Sequence, residues 1–352
     1  MKAAKTMVSL VLSALLVTAV GCGNNEASGG NNTSGNAAGG NSGNNAPAKT
    51  YSIAISQIVE HPSLDATRQG FLDALKEGGY TEGDNLKVDF NNAQGDQTNN
   101  LSIADKISTG TYDLVLGIAT PSAAAVVNKV KETPVLFAAV TDPMDAKLVT
   151  NMDQPGGNVS GASDTNPEAI VQTMDFIAAN FPKVKTVGVV INEGEANAVI
   201  MAKKAEEALS AKGIKLVKAP VTNTSEVKQA ADSLVGRADA IYITLDNTVV
   251  SGVDSIIQVA NENKIPFFSA DRDTVEKGAF ATVGFKYYDH GYQVGQMAVD
   301  ILKNGMKPGD MKVSVPDKLD LILNLKAAEA QGITVTDQMK SQVKDQANNI
   351  IQ

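Results

Sequence analysis

From residue 51 onward the chain alternates short apolar runs with amphipathic stretches of helical period, and this rhythm constrains the fold more than any other feature. Residues 51–56 read as a buried strand. Residues 63–78 follow as a helix with Leu64, Phe71, Leu72 and Leu75 on one side, and Gly78-Gly79 ends it. Further strands are expected at 86–91, 113–118, 134–140 and 158–162, and helices at 97–108, 121–131 and 167–180, with Pro121 in a first helical turn. The pattern then restarts, with strands at 186–191, 215–219, 240–245, 266–269 and 279–285 and helices at 195–212, 225–235, 250–263 and 287–303. A late strand at 319–323 and a short helix at 324–331 close it. Strict alternation of this kind builds parallel, doubly wound sheets. About ten to twelve strands are too many for one domain of about 100–150 residues, so the expected class is α/β with two Rossmann-like lobes and a boundary near residue 163.

The first 49 residues do not follow this rhythm. Lys2 and Lys5 precede an uncharged, mostly apolar run from Met7 to Val20, too short to span a bilayer of about 30 Å and suited to the apolar region of a signal peptide. The run ends Ala19-Val20-Gly21-Cys22, which resembles a bacterial lipobox. Residues 1–21 are therefore expected to be a lipoprotein signal, with cleavage before Cys22 and acylation of its sulfur. Residues 23–46 contain eight Asn, seven Gly and three Ser, so residues 22–49 read as the lipidated Cys plus a flexible tether. An anchored body of this kind belongs on the extracytoplasmic face of the cell membrane.

Composition removes other classes. Cys22 is the only cysteine, so no intrachain disulfide and no Cys-based zinc site can form. His61 and His290 are the only histidines, too few for a multi-His metal centre. A net charge of −9 argues against a nucleic-acid partner. No phosphate-binding loop, H-E-x-x-H or nucleophile elbow is present, so no enzyme, metal or cofactor is expected. Gly291 and Gly295 lie within a predicted helix and read as packing glycines.

In open parallel sheets, ligands bind beyond the carboxyl ends of the strands. The segments there are His61-Pro62-Ser63, residues 117–122, Thr141-Asp142-Pro143, residues 164–167, Asp246-Asn247-Thr248 and Ser269-Ala270-Asp271. They are small and polar, and suit a small polar or zwitterionic ligand. Each also has a plain alternative: Ser63, Thr141 and Asp271 as helix caps, Asp246-Asn247 as a turn, and His61 as an exposed loop residue.

Several of these stretches carry a family resemblance. Ser63-Leu64-Asp65, Gly95-Asp96-Gln97, residues 117–121, Thr141-Asp142-Pro143, residues 155–159, residues 164–167 and Asp246-Asn247-Thr248 occur in the order found in the substrate-binding lipoproteins of ABC transporters. Over about residues 50–345 the chain resembles the subfamily for tryptophan and related aromatic amino acids. The resemblance implies a periplasmic-binding-protein-like fold of type I, with two lobes joined by a three-stranded hinge. Residues 50–163 with 286–318 would form one lobe, and 164–285 with 319–352 the other. It further implies a monomer that passes an aromatic amino acid, foremost L-tryptophan or L-phenylalanine, to a membrane permease and its ATPase. A sensor presenting a solute to a membrane receptor is the alternative.

By the same resemblance, Ser63, Thr120, Ser122 and Thr141 would hold the ligand carboxylate or line the first wall. Asp246 would pair with the ammonium group, since an ionised carboxylate is a pure acceptor. Asn247, Asn166 and Asp142 would complete a polar cage beside Ser269. Phe137, Phe268 and Ile118 would wall an aromatic side chain, with no tryptophan available to do so.

Overall fold

The computed structural model describes residues 49–316 and 318–352. The expected signal, Cys22 and most of the tether lie outside the described residues. Among the described residues no helix is long and apolar enough to cross a membrane.

The first sheet has the order β2-β1-β3-β4-β5 and is wholly parallel. Its strands are β1 (Tyr51–Gln57), β2 (Leu86–Asn92), β3 (Leu114–Ile118), β4 (Val135–Val140) and β5 (Val159–Ser163), linked in turn by α1 (Pro62–Glu77), α2 (Gln97–Thr109) and α3 (Thr120–Lys129). β3 and β4 are buried at every residue, as interior parallel strands covered on both faces must be, and they read as unbroken apolar runs. β2 sits at the edge, with Lys87 and Phe90 exposed and Asp89, Asn91 and Asn92 half-buried.

The second sheet has the order β12-β11-β10-β9-β8-β6-β7. In chain order the elements are α4 (Pro167–Asn180), β6 (Thr186–Ile191), α5 (Ala196–Ser210), β7 (Lys215–Pro220), α6 (Val227–Asp232), β8 (Ala240–Ile243), α7 (Asn247–Ser251), α8 (Val253–Asn263), β9 (Phe267–Ser269), α9 (Arg272–Lys277) and β10 (Ala281–Gly284). α10 (Tyr287–Asn304) then leaves this sheet and packs along α1, beside the first. The chain returns through β11 (Asp320–Asn324), α11 (Leu325–Ala330), α12 (Asp337–Ser341), α13 (Gln346–Asn349) and β12 (Ile350–Ile351).

Three features depart from the sequence expectations. β11 runs antiparallel to β10, with Gly284 opposite Asp320. The chain re-enters the sheet at the end where β10 left it, so the returning strand must run the other way. The helix expected at 250–263 is two, broken at Gly252 between α7 and α8. The strand β12 and the helices α9, α12 and α13 carry too short an apolar period to be read from sequence.

The α1–α10 contact rests on absent side chains. A Cβ at Gly291 would lie 1.9 Å from the Thr67 carbonyl oxygen, and one at Gly295 would lie 2.5 Å from that of Phe71. Both glycines pack, as the sequence implied. In the second sheet's core, Phe176, Phe181, Phe268 and Phe280 form an edge-to-face cluster with centroids 5.4–6.5 Å apart.

Candidate functional site

The carboxyl ends of β1, β3 and β4 approach those of β8 and β9, and one small cavity lies between them, with a second beside it lined only by residues between 164 and 285 and by Leu319. Each encloses about 20 Å³ of free interior space. The first is polar. His61, Ser63, Leu64, Thr120, Ala139, Thr141 and Tyr287 line one side, and Asp164, Asn197, Leu245, Asn247, Val250 and Asp271 the other. The second is mostly apolar, walled by Ile170, Met201, Tyr242, Leu245, Val283 and Phe285, with Asp164 and Asn166 at its polar end. Asp164 and Leu245 line both, so the two cavities are neighbours.

Local backbone geometry builds the polar cavity. The β4–β5 register shifts between Phe137 and Val140, and Ala139 there has φ +55. Its amide, turned out of the ladder, donates to His290 Nε2 at 3.0 Å. Burial pushes His290 down to about 4, so the imidazole stays neutral and keeps its acceptor nitrogen. A bulge of this kind re-aims the next residues, and here it delivers Thr141. Ala119, just before Thr120, also has positive φ, +73. Two non-glycine residues in such conformations at one strand-end surface are a common mark of a binding site. The Thr141 amide donates to Thr120 Oγ1 at 3.3 Å, which ties the two loops together.

Contacts cross between the two sheets. Ser63 Oγ donates to Asp271 Oδ1 at 3.0 Å, and His61 Nε2 lies 3.5 Å from Asn247 Oδ1. Burial holds His61 below its ordinary pKa, against the opposing pull of Asp271. Its Nδ1 has no protein partner, nor does Asn197 Oδ1. Asp164 accepts from Tyr287 OH at 2.9 Å and from Thr165 Oγ1 at 3.1 Å. Burial nonetheless pushes its carboxyl up to about 6. Buried carboxylates, hydroxyls and unpaired polar atoms facing one enclosed space suit a ligand that carries both charge signs.

The structure brings together Ser63, Thr120, Thr141 and Asn247 in the polar cavity and places Asn166 in the apolar one. Ser63 is not the cap of α1. That position falls to His61, and the Ser63 hydroxyl is free to reach Asp271. Asn166 caps α4 and donates to the Pro316 carbonyl at 3.1 Å.

The remaining expected residues stand elsewhere. Asp246 is fully buried but lines neither cavity. Its Oδ1 accepts from the Val249 amide and its Oδ2 from the Asn192 amide at 2.6 Å. Burial and the neighbouring Glu195 hold its pKa well above the carboxylate range. It is a helix cap, and the acid that faces the cavity is Asp271. Ser122 donates to Asn100 Oδ1 inside the α2–α3 contact. Ser269 donates to Asp271 Oδ2 at 2.9 Å and supports that side chain from behind. Asp142 caps the turn at Met144 and Asp145, on a wider outer groove. Phe137, Phe268 and Ile118 belong to the cores, because their strands are buried on both faces. The apolar wall comes instead from Met201, Tyr242, Leu245, Val283 and Phe285.

Sequence reading missed Asn197, Glu195 and Tyr287, and gave no site role to His61 and Asp164 although both stand in its strand-end segments. Glu195 holds the Asn247 loop, accepting from the Asn247 and Thr248 amides and from both their side chains. Asp164 could have been found, since it opens the motif at 164–167. Tyr287 could not, since it arrives through the packing of α10 on α1.

Two α/β sheets whose strand ends face each other across a polar cleft define a two-lobed periplasmic-binding-protein-like fold. Residues 52–346 match the family described as ABC transporter substrate binding protein, and the chain belongs to that family. A tyrosine-binding protein of Clostridioides difficile is 40% identical over 289 residues, 81% of this chain and 83% of that protein. The structure of an ABC domain from Streptococcus pneumonia in complex with L-Trp is 33% identical, with a TM-score of 0.80, and the match covers 86% of this chain and 100% of that one. The ligand-free, open structure of a substrate binding protein from Clostridium difficile is 40% identical, with a TM-score of 0.62, covering 86% and 98%. The protein is accordingly an extracytoplasmic, non-enzymatic substrate-binding component of an ABC transporter.

Proposed function

We propose that the chain captures an aromatic amino acid in the paired cavities and delivers it to a membrane permease driven by an ATPase. The observation that carries this reading is the pairing itself, a charged polar chamber beside an apolar one with Asp164 and Leu245 between them. The ammonium group would meet Asp271 and Asp164, and the carboxylate the hydroxyls of Ser63, Thr120 and Thr141. Asp271 replaces Asp246 in this role because it lines the polar cavity and Asp246 lines neither. The aromatic ring would enter the apolar chamber, and the names of the relatives fit such a ligand.

About 20 Å³ in each chamber cannot hold an amino acid as they stand, so the cleft must open and Leu245 must move. The lobes in this proposal are residues 50–163 with 286–318, and 164–285 with 319–352. Their three crossings act as the hinge, and ligand bridging both sides shifts the population to the closed form. Closer superposition on the tryptophan complex than on the open structure supports a closed arrangement. The purified protein should gain about 2.7 kcal/mol of stability from L-tyrosine, L-tryptophan or L-phenylalanine at 100 times Kd. A thermal-shift screen in which no aromatic amino acid raises the unfolding midpoint would remove the reading.

Membrane attachment through a lipid on Cys22 is part of the proposal. Cys22→Ala should release the protein from the membrane fraction, and a variant that stays bound would contradict the anchor.

A further inference from the structure

Tyr242 is 1% exposed on β8, and its ring lines the apolar chamber among Ile170, Met201 and Val283. Its hydroxyl is buried and has no hydrogen-bond partner in the protein. Thr244, two residues on and so on the same side of the extended chain, holds a second buried hydroxyl without a partner. Single atoms of Ser56, His61, Asn197, Asn261 and Asp273 are also buried without a partner, against the usual rule that buried polar groups are paired, but Tyr242 is the one among these seven residues that lines the apolar chamber. Ser63, Ser269, Thr173 and Tyr287 all donate to protein acceptors. A phenol left unpaired in an apolar wall destabilises the ligand-free protein, and a phenylalanine there would pack as well without that cost. The hydroxyl therefore has a use that the ligand-free chain does not reveal. Burial pushes the phenol far above its ordinary pKa, so it stays neutral and can donate or accept.

We infer that Tyr242 is a specificity-determining residue whose hydroxyl reads a hydroxyl on the ligand's aromatic ring, selecting L-tyrosine over L-phenylalanine. This rests on the function proposed above, since it requires the ring to occupy the apolar chamber. A site that offers a buried polar group rejects the ligand lacking the matching atom, because both desolvated partners are then unpaired. The same chamber without the phenol would treat the two ligands nearly alike.

The test is a calorimetric titration of L-tyrosine and L-phenylalanine into the wild-type protein and Tyr242→Phe. The wild type should favour tyrosine by about tenfold or more. In the variant that ratio should collapse to below about threefold, with phenylalanine gaining affinity as the chamber becomes wholly apolar. The ligand-free variant should melt at the same temperature as the wild type or higher, because it loses an unpaired buried hydroxyl, and this establishes that it folds. A wild type that binds both ligands equally, or a variant that keeps the wild-type ratio, would overturn the assignment and leave the proposed function standing. A wild type that binds neither these ligands nor L-tryptophan would overturn both.

Discussion

Asp164→Asn is expected to strengthen the ligand-free fold while weakening capture. Burial lifts the Asp164 carboxyl to about 6, from 3.8 in the unfolded chain. Between those values the folded protein holds a proton that the unfolded chain has released. Stability contributed by this group therefore falls as pH rises through that window, and the loss is complete above about pH 6. A shift of about two units corresponds to at most about 3 kcal/mol. Asparagine avoids the charge but offers one acceptor fewer to Tyr287 and Thr165, so a net gain of about 1–2 kcal/mol is expected at pH 8. At pH 3, where both carboxyls are protonated, no gain should remain. His290 titrates with the opposite sign and Asp273, pushed up to about 7, with the same sign, but both are common to the two proteins and cancel in the difference. Ligand affinity should fall by about 2–5 kcal/mol, as for a buried ammonium that loses one of its two charged partners. Urea titrations across pH 3–8 measure the first effect and calorimetry the second. Identical stability curves, or unchanged affinity, would take Asp164 out of the site.

Gly291→Val should destabilise the protein by about 3–5 kcal/mol, with Gly291→Ala smaller and in the same direction. Any Cβ there meets the Thr67 carbonyl oxygen at 1.9 Å, and backbone cannot rotate away as a side chain can. The only relief is to separate α10 from α1. That displacement carries Tyr287 and His290, which belong to the site, so affinity should fall along with stability. Denaturant midpoints decide the first point. A variant within about 1 kcal/mol of wild type would mean that the helix contact is looser than described.

The order of strands and helices was legible because the apolar period switches cleanly between them. Strand direction at β11 was not, because it depends on where the chain re-enters after α10, and no local residue records that. The site was half legible for a related reason. Asp246 and Asp271 present the same local pattern, an acid after a strand and before a short helix, and both cap it. They differ in whether distant amides consume the carboxylate. Asn192 does so for Asp246, while Ser63 reaches Asp271 from across the cleft. Phe137 and Phe268 could not be told from pocket residues because interior parallel strands carry no alternation that marks one face. His61 would stand in water but for the approach of the second sheet.

The most direct measurement is a crystal structure of the protein with L-tyrosine. It should show the ammonium group within about 3 Å of Asp164 or Asp271 and the ring against Tyr242 and Met201, with Leu245 displaced. Ligand found only in the outer groove between Asp142 and Glu195, or a ring outside the apolar chamber, would contradict the account.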